Sequence, residues 1–233
     1  VNPWFGQYAT DNGSVGVGHG RTWSYNYQQV LNWKPTFGSH EFDFMLGHEY
    51  YRMISTSLSG RKSNMFDLKY DELSGAAVTK GTSSGSSMYN TEGWFGRVNY
   101  SYANKYFGEV SYRRDASSMF HPENRWGNFW SLGGAWLISK EEWFDAPWVD
   151  ELKFKASYGA QGNDNISQFL YTNTYSIISS DNAVATVASR RGNKKISWEK
   201  QGMFNVGFDF SFFRQRLSGS IVYFDRSTKD MLA

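Results

Sequence analysis

Apolar and polar residues alternate with period two along most of the chain, the spacing of strands that show one face to an apolar phase and the other to water. Between residues 22 and 34, Trp23, Tyr25, Tyr27, Leu31 and Trp33 share one parity, while Thr22, Ser24, Asn26, Gln28, Asn32 and Lys34 share the other. Phe42, Phe44, Leu46 and Tyr50 then oppose Glu41, Asp43 and Glu49. Trp94, Val98, Tyr100 and Tyr102 oppose Arg97, Asn99 and Ser101, and Val110 and Tyr112 oppose Glu109, Ser111 and Arg113. Further on, Trp130, Leu132 and Trp136 alternate with small residues, and Leu152, Phe154, Ala156 and Tyr158 with Lys153, Lys155 and Ser157. The last two segments set Phe204, Val206, Phe208, Phe210 and Phe212 against Asn205, Asp209 and Ser211, then Leu217, Ile221 and Tyr223 against Ser218, Ser220 and Arg226.

This pattern predicts an all-β chain of about eight strands, each roughly 9 to 13 residues, the length with which a tilted strand crosses a bilayer. A soluble β-sandwich also alternates, but its strands are shorter, about 5 to 6 residues, and favour Val, Ile and Leu on the buried face. Here the apolar face carries Trp and Tyr near strand ends, as the aromatic girdles of outer-membrane barrels do. Trp126, Trp130, Trp136, Trp143 and Trp148 read as girdle and turn anchors.

The connections alternate in length. Pro35 to Ser39, Ala103 to Lys105 and Arg214 to Arg216 are short, whereas Met53 to Glu92, Asp115 to Arg125 and Gln161 to Lys195 are long; Ser139 to Asp150 is intermediate and has room for a helical turn. Outer-membrane barrels keep short turns on the periplasmic side and long loops outside, so the long segments are expected to be extracellular. Both ends of the chain would then be extracellular too. Together with a start at Val1, this predicts a segment of a larger barrel rather than a closed ring of eight strands.

Composition narrows the function classes. Aromatic residues make up 18% of the 233 residues although mean hydropathy is only -0.58, a combination that a plain water-soluble core does not require. No apolar run approaches the roughly 18 residues of a transmembrane helix. There are no cysteines, so disulfides and thiolate metal sites are excluded. The 24 basic and 22 acidic residues are interspersed, a balance that does not point to nucleic acid.

Several motifs have plainer readings than the chemistry they suggest. Gly81-Thr82-Ser83-Ser84-Gly85 matches the G-x-S-x-G nucleophile elbow but sits in a low-complexity run and reads as a flexible loop. Gly16-Val17-Gly18-His19-Gly20 lacks the βαβ surroundings of a phosphate-binding loop and reads likewise. His40 and His48 are eight positions apart on a strand, roughly 27 Å, too far to share a metal. Glu41 and Asp43 have the spacing of an acid/base pair, about 7 Å, but such carboxylates are ordinary in a polar pore. Neither a catalytic residue nor a cofactor or metal site is expected. Parity instead makes Glu41, Asp43, Glu49, Arg97, Glu109, Arg113, Lys153, Lys155 and Asp209 the candidate functional residues, facing the lumen of a barrel. Arg113, Arg114 and Asp115 are expected to form an ion network at its rim.

The run YRRDASSMFHPENRWGNFWSLGGAWLISKEEWF from Tyr112, followed by WVDELKFKASYGAQGNDNI from Trp148, resembles the signature region of the SusC/RagA family of TonB-dependent outer-membrane transporters. The stretch ISWEKQGMFNVGFDFSFFRQRLSGSIVYFDRSTKDML from Ile196 resembles that family's later Trp-Glu-Lys and Asn-x-Gly-x-Asp pattern. Ala116 stands where the family usually has Gly and Lys155 where it has Arg, and residues 1 to 92 fit in general character alone. The resemblance implies consecutive strands from the C-terminal half of a 22-stranded transmembrane antiparallel barrel, with no counterpart here of the family's plug domain and TonB box. It also implies TonB-dependent import of a bulky oligosaccharide or peptide across the outer membrane of a Gram-negative bacterium. The implied partners are a SusD-type surface lipoprotein, TonB, outer-membrane lipid and the glycan or peptide itself. The alternative from the pattern alone is a stand-alone eight-stranded outer-membrane barrel acting as an enzyme or adhesin.

Overall fold

The computed structural model describes residues 11–180 and 183–232. The chain start at Val1 lies outside them. The elements run β1 (Ser14–Trp33), β2 (Thr36–Phe37), β3 (His40–Met65), β4 (Ala76–Tyr102), β5 (Tyr106–Ser117), β6 (Trp126–Leu137), β7 (Val149–Asn163), β8 (Thr174–Ser180), β9 (Ala183–Arg190), β10 (Glu199–Phe212) and β11 (Leu217–Lys229). The main sheet has the order β1-β3-β4-β5-β6-β7-β10-β11, with the two-residue β2 pairing β3. Each ladder from β4 onward in this order is antiparallel, the up-and-down arrangement that short turns allow. Among the described residues the hydrogen-bonded order ends at β1 on one side and at β11 on the other.

The chain divides into two compact units, Val1–Asn26 with Tyr51–Asn90 and Tyr27–Tyr50 with Thr91–Ala233; β1, β3 and β4 supply residues to both. In the first unit, Val15, Met65 and Ala76 are buried together against Leu73. A short 3-10 turn at Leu73–Gly75 leads into β4, and Lys80 pairs with Asp11 at 2.8 Å. Thr22 and Ser55 hydroxyls meet at 2.8 Å across β1 and β3.

This unit corrects three expectations. Met53 to Glu92 is not a long loop: β3 and β4 run 26 and 27 residues, leaving a connection of only residues 66–75. Gly16–Gly20 and Gly81–Gly85 are likewise strand, in β1 and β4. A strand with water on both faces has no reason to alternate, so MISTSLSGRKSNM and AAVTKGTSSGSSMYNTE carry no period-two signal although their backbone ladders form.

In the second unit the short turns are tight. Ala103 and Asn104 join β4 to β5 at φ 51° and 52°, and Phe213, Arg214 and Gln215 join β10 to β11 at φ between 57° and 63°. The intermediate connection holds the expected helical turn, a 3-10 turn at Ile138–Lys140. Just beyond it, the Glu141 carboxylate accepts hydrogen bonds from the Tyr106 hydroxyl, from Trp136 Nε1 at 2.9 Å and from Lys105 Nζ at 3.5 Å. These donors, Tyr106 foremost, hold the Glu141 carboxyl below its usual range. Between Gln161 and Lys195 the expected loop contains a second, two-stranded sheet of β8 and β9.

Candidate functional site

Directly paired residues share a face of a sheet, so the ladders carry parity from strand to strand. Phe95 stands opposite Arg113, Arg97 opposite Ser111 and Asn99 opposite Glu109. Ser111 stands opposite Ser131 and Glu109 opposite Gly133; Gly133 then faces Ser157, Ala135 faces Lys155 and Leu137 faces Lys153. Lys153 in turn faces Asp209, and Ser157 faces Asn205. On β3, Glu49 reaches Arg113 Nη2 at 3.4 Å, and a Cβ added at Gly47 would run into the Phe95 ring, so the odd-numbered residues of β3 lie on this same face. All nine candidates are thereby brought to one face: Glu41, Asp43 and Glu49 on β3, Arg97 on β4, Glu109 and Arg113 on β5, Lys153 and Lys155 on β7, and Asp209 on β10.

The opposite face is apolar. Trp94, Val98, Tyr102, Val110, Tyr112, Trp130, Leu132 and Trp136 line up across β4 to β6. Tyr158, Phe154, Phe204, Phe208, Ile221 and Leu217 continue the row across β7, β10 and β11. Most of these side chains are exposed, Leu132 at 55% and Ile221 at 69%, while Val98, Trp136 and Phe154 are half-buried. By the short turns Tyr102, Tyr106 and Trp136 stack in sequence, with centroids 6.2 and 6.4 Å apart, and Trp143 tilts against Trp136 at 6.2 Å. Eight residues from there, Trp94 pairs with Arg114 and marks the change to polar side chains, a span of roughly 26 Å along the strand before tilt. That matches the apolar band, about 25 Å tall and bordered by aromatics, of a transmembrane barrel.

The polar face is linked by charge. Arg113 Nε lies 2.7 Å from Asp115 and Nη2 3.4 Å from Glu49, the rim network expected of this segment, though Arg114 lies outside it. Lys155 bonds both Asp209 and, at 3.2 Å, Ser220 on β11. Lys34 holds Asp43 at 3.2 Å, and Ser111 and Ser131 meet at 2.6 Å. Small residues at Gly133, Ala135 and Ser157 leave a concavity of about 680 Å3 bordered by Glu109, Lys155 and Asn205. Such a surface can bind polar solutes through paired charges and hydroxyls.

Sequence parity missed the aromatic side chains here. Phe95 lies under Arg113 of the adjacent β5 at 5.4 Å, and Phe107 lies under Lys153, which reaches across β6 from β7, at 5.2 Å. Phe129, also on this side, joins Phe120 and Trp198 in a buried cluster packed by Ile166, Ile196 and Leu232. The connections 118–125 and 164–198 thus fold together at the ends of β5, β6, β7 and β10 remote from the short turns. Trp198 Nε1 donates to the Arg125 carbonyl at 2.7 Å, Asn124 Nδ2 to the Lys194 carbonyl at 2.8 Å, and the fully buried Ser117 hydroxyl to Asp164 at 2.6 Å. The odd number of Phe129 signalled its face, but its ring was indistinguishable in sequence from the girdle residues beside it.

His40 and His48 lie on the apolar side, where His40 meets the Tyr100 hydroxyl at 2.8 Å and His48 packs on Trp94 with centroids 4.2 Å apart. No group of residues suited to hold a metal occurs among the described residues.

No protein-family profile matches the chain. It is 30% identical over 231 residues to the TonB-dependent receptor P3 of Formosa agariphila, covering 94% of this chain and 23% of that receptor. It is 29% identical over 216 residues to the TonB-dependent receptor SusC of Bacteroides thetaiotaomicron, covering 89% of this chain and 21% of SusC. The RagAB peptide transporter superimposes with a TM-score of 0.89 at 26% identity, over 93% of this chain and 25% of that one. The chain belongs with the SusC/RagA type of TonB-dependent receptors. It spans about a quarter or less of the length of the relatives it matches. The likeness extends into residues 1 to 92 as well, where the motifs gave only general character, because the alignments cover 93 to 94% of the chain. Those relatives are named receptors and transporters rather than enzymes.

Proposed function

We propose that this chain is part of the barrel wall of an outer-membrane transporter that imports a bulky nutrient, an oligosaccharide or a peptide, in a TonB-dependent manner. The observation that carries the reading is the division of the second unit's sheet into an aromatic-bordered apolar face and an opposite face holding all nine charged candidates. In a barrel the first would lie against lipid and the second would line the lumen. A lumen with both signs of charge close together, as in Glu49–Arg113–Asp115 and Lys155–Asp209, favours polar solutes over apolar ones. The same division supports an outer-membrane location, since an open apolar face of this breadth calls for contact with lipid or another apolar surface. By the same reading, sheet partners for β1 and β11 come from further strands of a larger barrel, whose remaining parts would carry the plug and the TonB contact. A SusD-type lipoprotein would cover its outer mouth.

The test uses the full-length protein in its own host. Uptake of labelled oligosaccharides and of labelled peptides is measured with and without the gene and with TonB inactivated, and the detergent-solubilised protein is examined for a co-purifying lipoprotein. Loss of uptake of one solute class in both mutants, with a lipoprotein partner, supports the reading. Uptake unchanged by TonB loss would sink it. The stand-alone alternative requires residues 11–232 to fold by themselves into a heat-resistant barrel; failure to do so removes it.

A further inference from the structure

The apolar face is not uniform. A groove of about 980 Å3 runs over the strands of the second unit, walled by Trp33, Leu46, Trp94, Tyr112 and Trp126. Its floor is Gly96. A Cβ there would meet only the Met45 carbonyl at 3.6 Å and Leu46 Cδ1 at 3.9 Å, so the absent side chain leaves open space rather than relieving a clash. Val98 and Val110, directly paired, extend the floor toward the short turns.

One end of this groove is cationic. The Arg114 guanidinium lies 5.0 Å over the Trp126 ring, four residues along β5 from Val110, or roughly 13 Å at strand rise. Its neighbours leave it without a carboxylate among the described residues. Asp115 and Glu49 are held by Arg113 on the polar face, and Glu92 is engaged by His48 at 3.4 Å and by Trp94 Nε1 at 3.4 Å. An uncompensated guanidinium at the border of a lipid-facing aromatic row is complementary to an anionic headgroup, and its planar donors suit phosphate oxygens. The groove below it suits the attached hydrocarbon.

We propose that this groove is a lipid site: it holds an acyl chain of an outer-leaflet phosphorylated glycolipid, with the phosphate on Arg114 and the chain over Gly96 between Trp94 and Tyr112. The inference rests on the outer-membrane reading above and on the long connections facing outward. Neither a bare phosphate nor an uncharged acyl chain uses both features.

The full-length protein, purified from outer membranes in mild detergent, is titrated with monophosphorylated lipid A, with the same lipid lacking its phosphate, and with glucosamine 1-phosphate, and binding is read by native mass spectrometry. The phosphorylated lipid is expected to bind about tenfold more tightly than the dephosphorylated one. Arg114→Gln should erase that ratio and Arg114→Lys should keep part of it. Gly96→Leu, which fills the groove, should weaken both lipids. Ala156→Leu, on the same face away from the groove, should weaken neither. The proposal is overturned if Arg114→Gln leaves the ratio intact, if glucosamine 1-phosphate binds as well as the lipid, or if Ala156→Leu acts like Gly96→Leu. Should Gly96→Leu fail to fold, the two Arg114 variants decide. Absence of the wild-type protein from the outer-membrane fraction would instead count against the transporter reading itself.

Discussion

Phe154 and Phe208 stand directly opposite one another on β7 and β10 with ring centroids 5.2 Å apart, while the next residue of each strand, Lys155 and Asp209, meet as an ion pair on the other face. One step along the backbone separates an environment suited to hydrocarbon from one suited to water. Phe208→Arg is therefore expected to destabilise the folded barrel by about 2 to 4 kcal/mol, the cost of a cation near the middle of a lipid-facing strand. Asp209→Asn removes a part-exposed ion pair and should cost no more than about 1 kcal/mol. Urea unfolding of the full-length protein in lipid vesicles measures both, and equal losses would mean that the faces are wrongly assigned.

The cluster of Phe120, Phe129 and Trp198 should behave as a local clasp. Phe120 is 0% exposed and touches Trp198, with centroids 5.4 Å apart, so Phe120→Ala opens a cavity of the kind that costs about 3 to 5 kcal/mol in a packed core. Because the lost contacts join two connections rather than the sheet, that cost should appear as local opening. Limited proteolysis of the variant is expected to cut within residues 118–125 or 164–198 while the barrel remains intact; resistance equal to that of the wild type would contradict it.

Glu141 gives a pH signature. Its carboxyl is held below the usual range, first by the Tyr106 hydroxyl and then by Trp136 Nε1, so it stabilises the folded form above the unfolded pKa of about 4.3. That contribution is lost as pH falls through the lower folded value. The unfolding-temperature gap between the wild type and Glu141→Gln should stay constant from about pH 7 to about pH 5 and narrow below about pH 4. A gap independent of pH would show that the carboxylate charge plays no part in holding this turn.

Much of this architecture is legible in the residues, and the parts that are not share a cause. Where lipid meets one face, as at Phe204 to Phe212, alternation gives the strand, its parity and the face of Asp209. Where both faces meet water, as at Gly81 to Gly85, backbone hydrogen bonds maintain the ladder and no side-chain rule records it, so strand reads as loop. The hairpin of β8 and β9 was hidden for the same reason. Phe95, Phe107 and Phe129 show a different limit: their parity is correct, but which rings are covered by Arg113, by Lys153 or by a folded-back connection depends on contacts between strands and loops distant in sequence.

The sidedness of the connections is open to chemical labelling. Cysteine at Ser84, an exposed position of β4, should react with an impermeant maleimide on intact cells, and cysteine at Thr36, in the short connection before β3, should react only after the outer membrane is opened. Since this chain has no cysteine of its own, each signal is read against a low background. Reaction at Thr36 alone would invert the topology.

The most direct measurement is a cysteine scan of β10 from Met203 to Ser211 in the full-length protein, in membranes, with a charged thiosulfonate reagent and a lipid-dissolved quencher of an attached fluorophore. Met203, Asn205, Gly207, Asp209 and Ser211 are expected to react with the charged reagent, while labels at Phe204, Val206, Phe208 and Phe210 are quenched from the lipid, in strict alternation. Reactivity without alternation, or charged-reagent labelling at the even positions instead, would contradict a barrel wall with its charged face turned to the lumen.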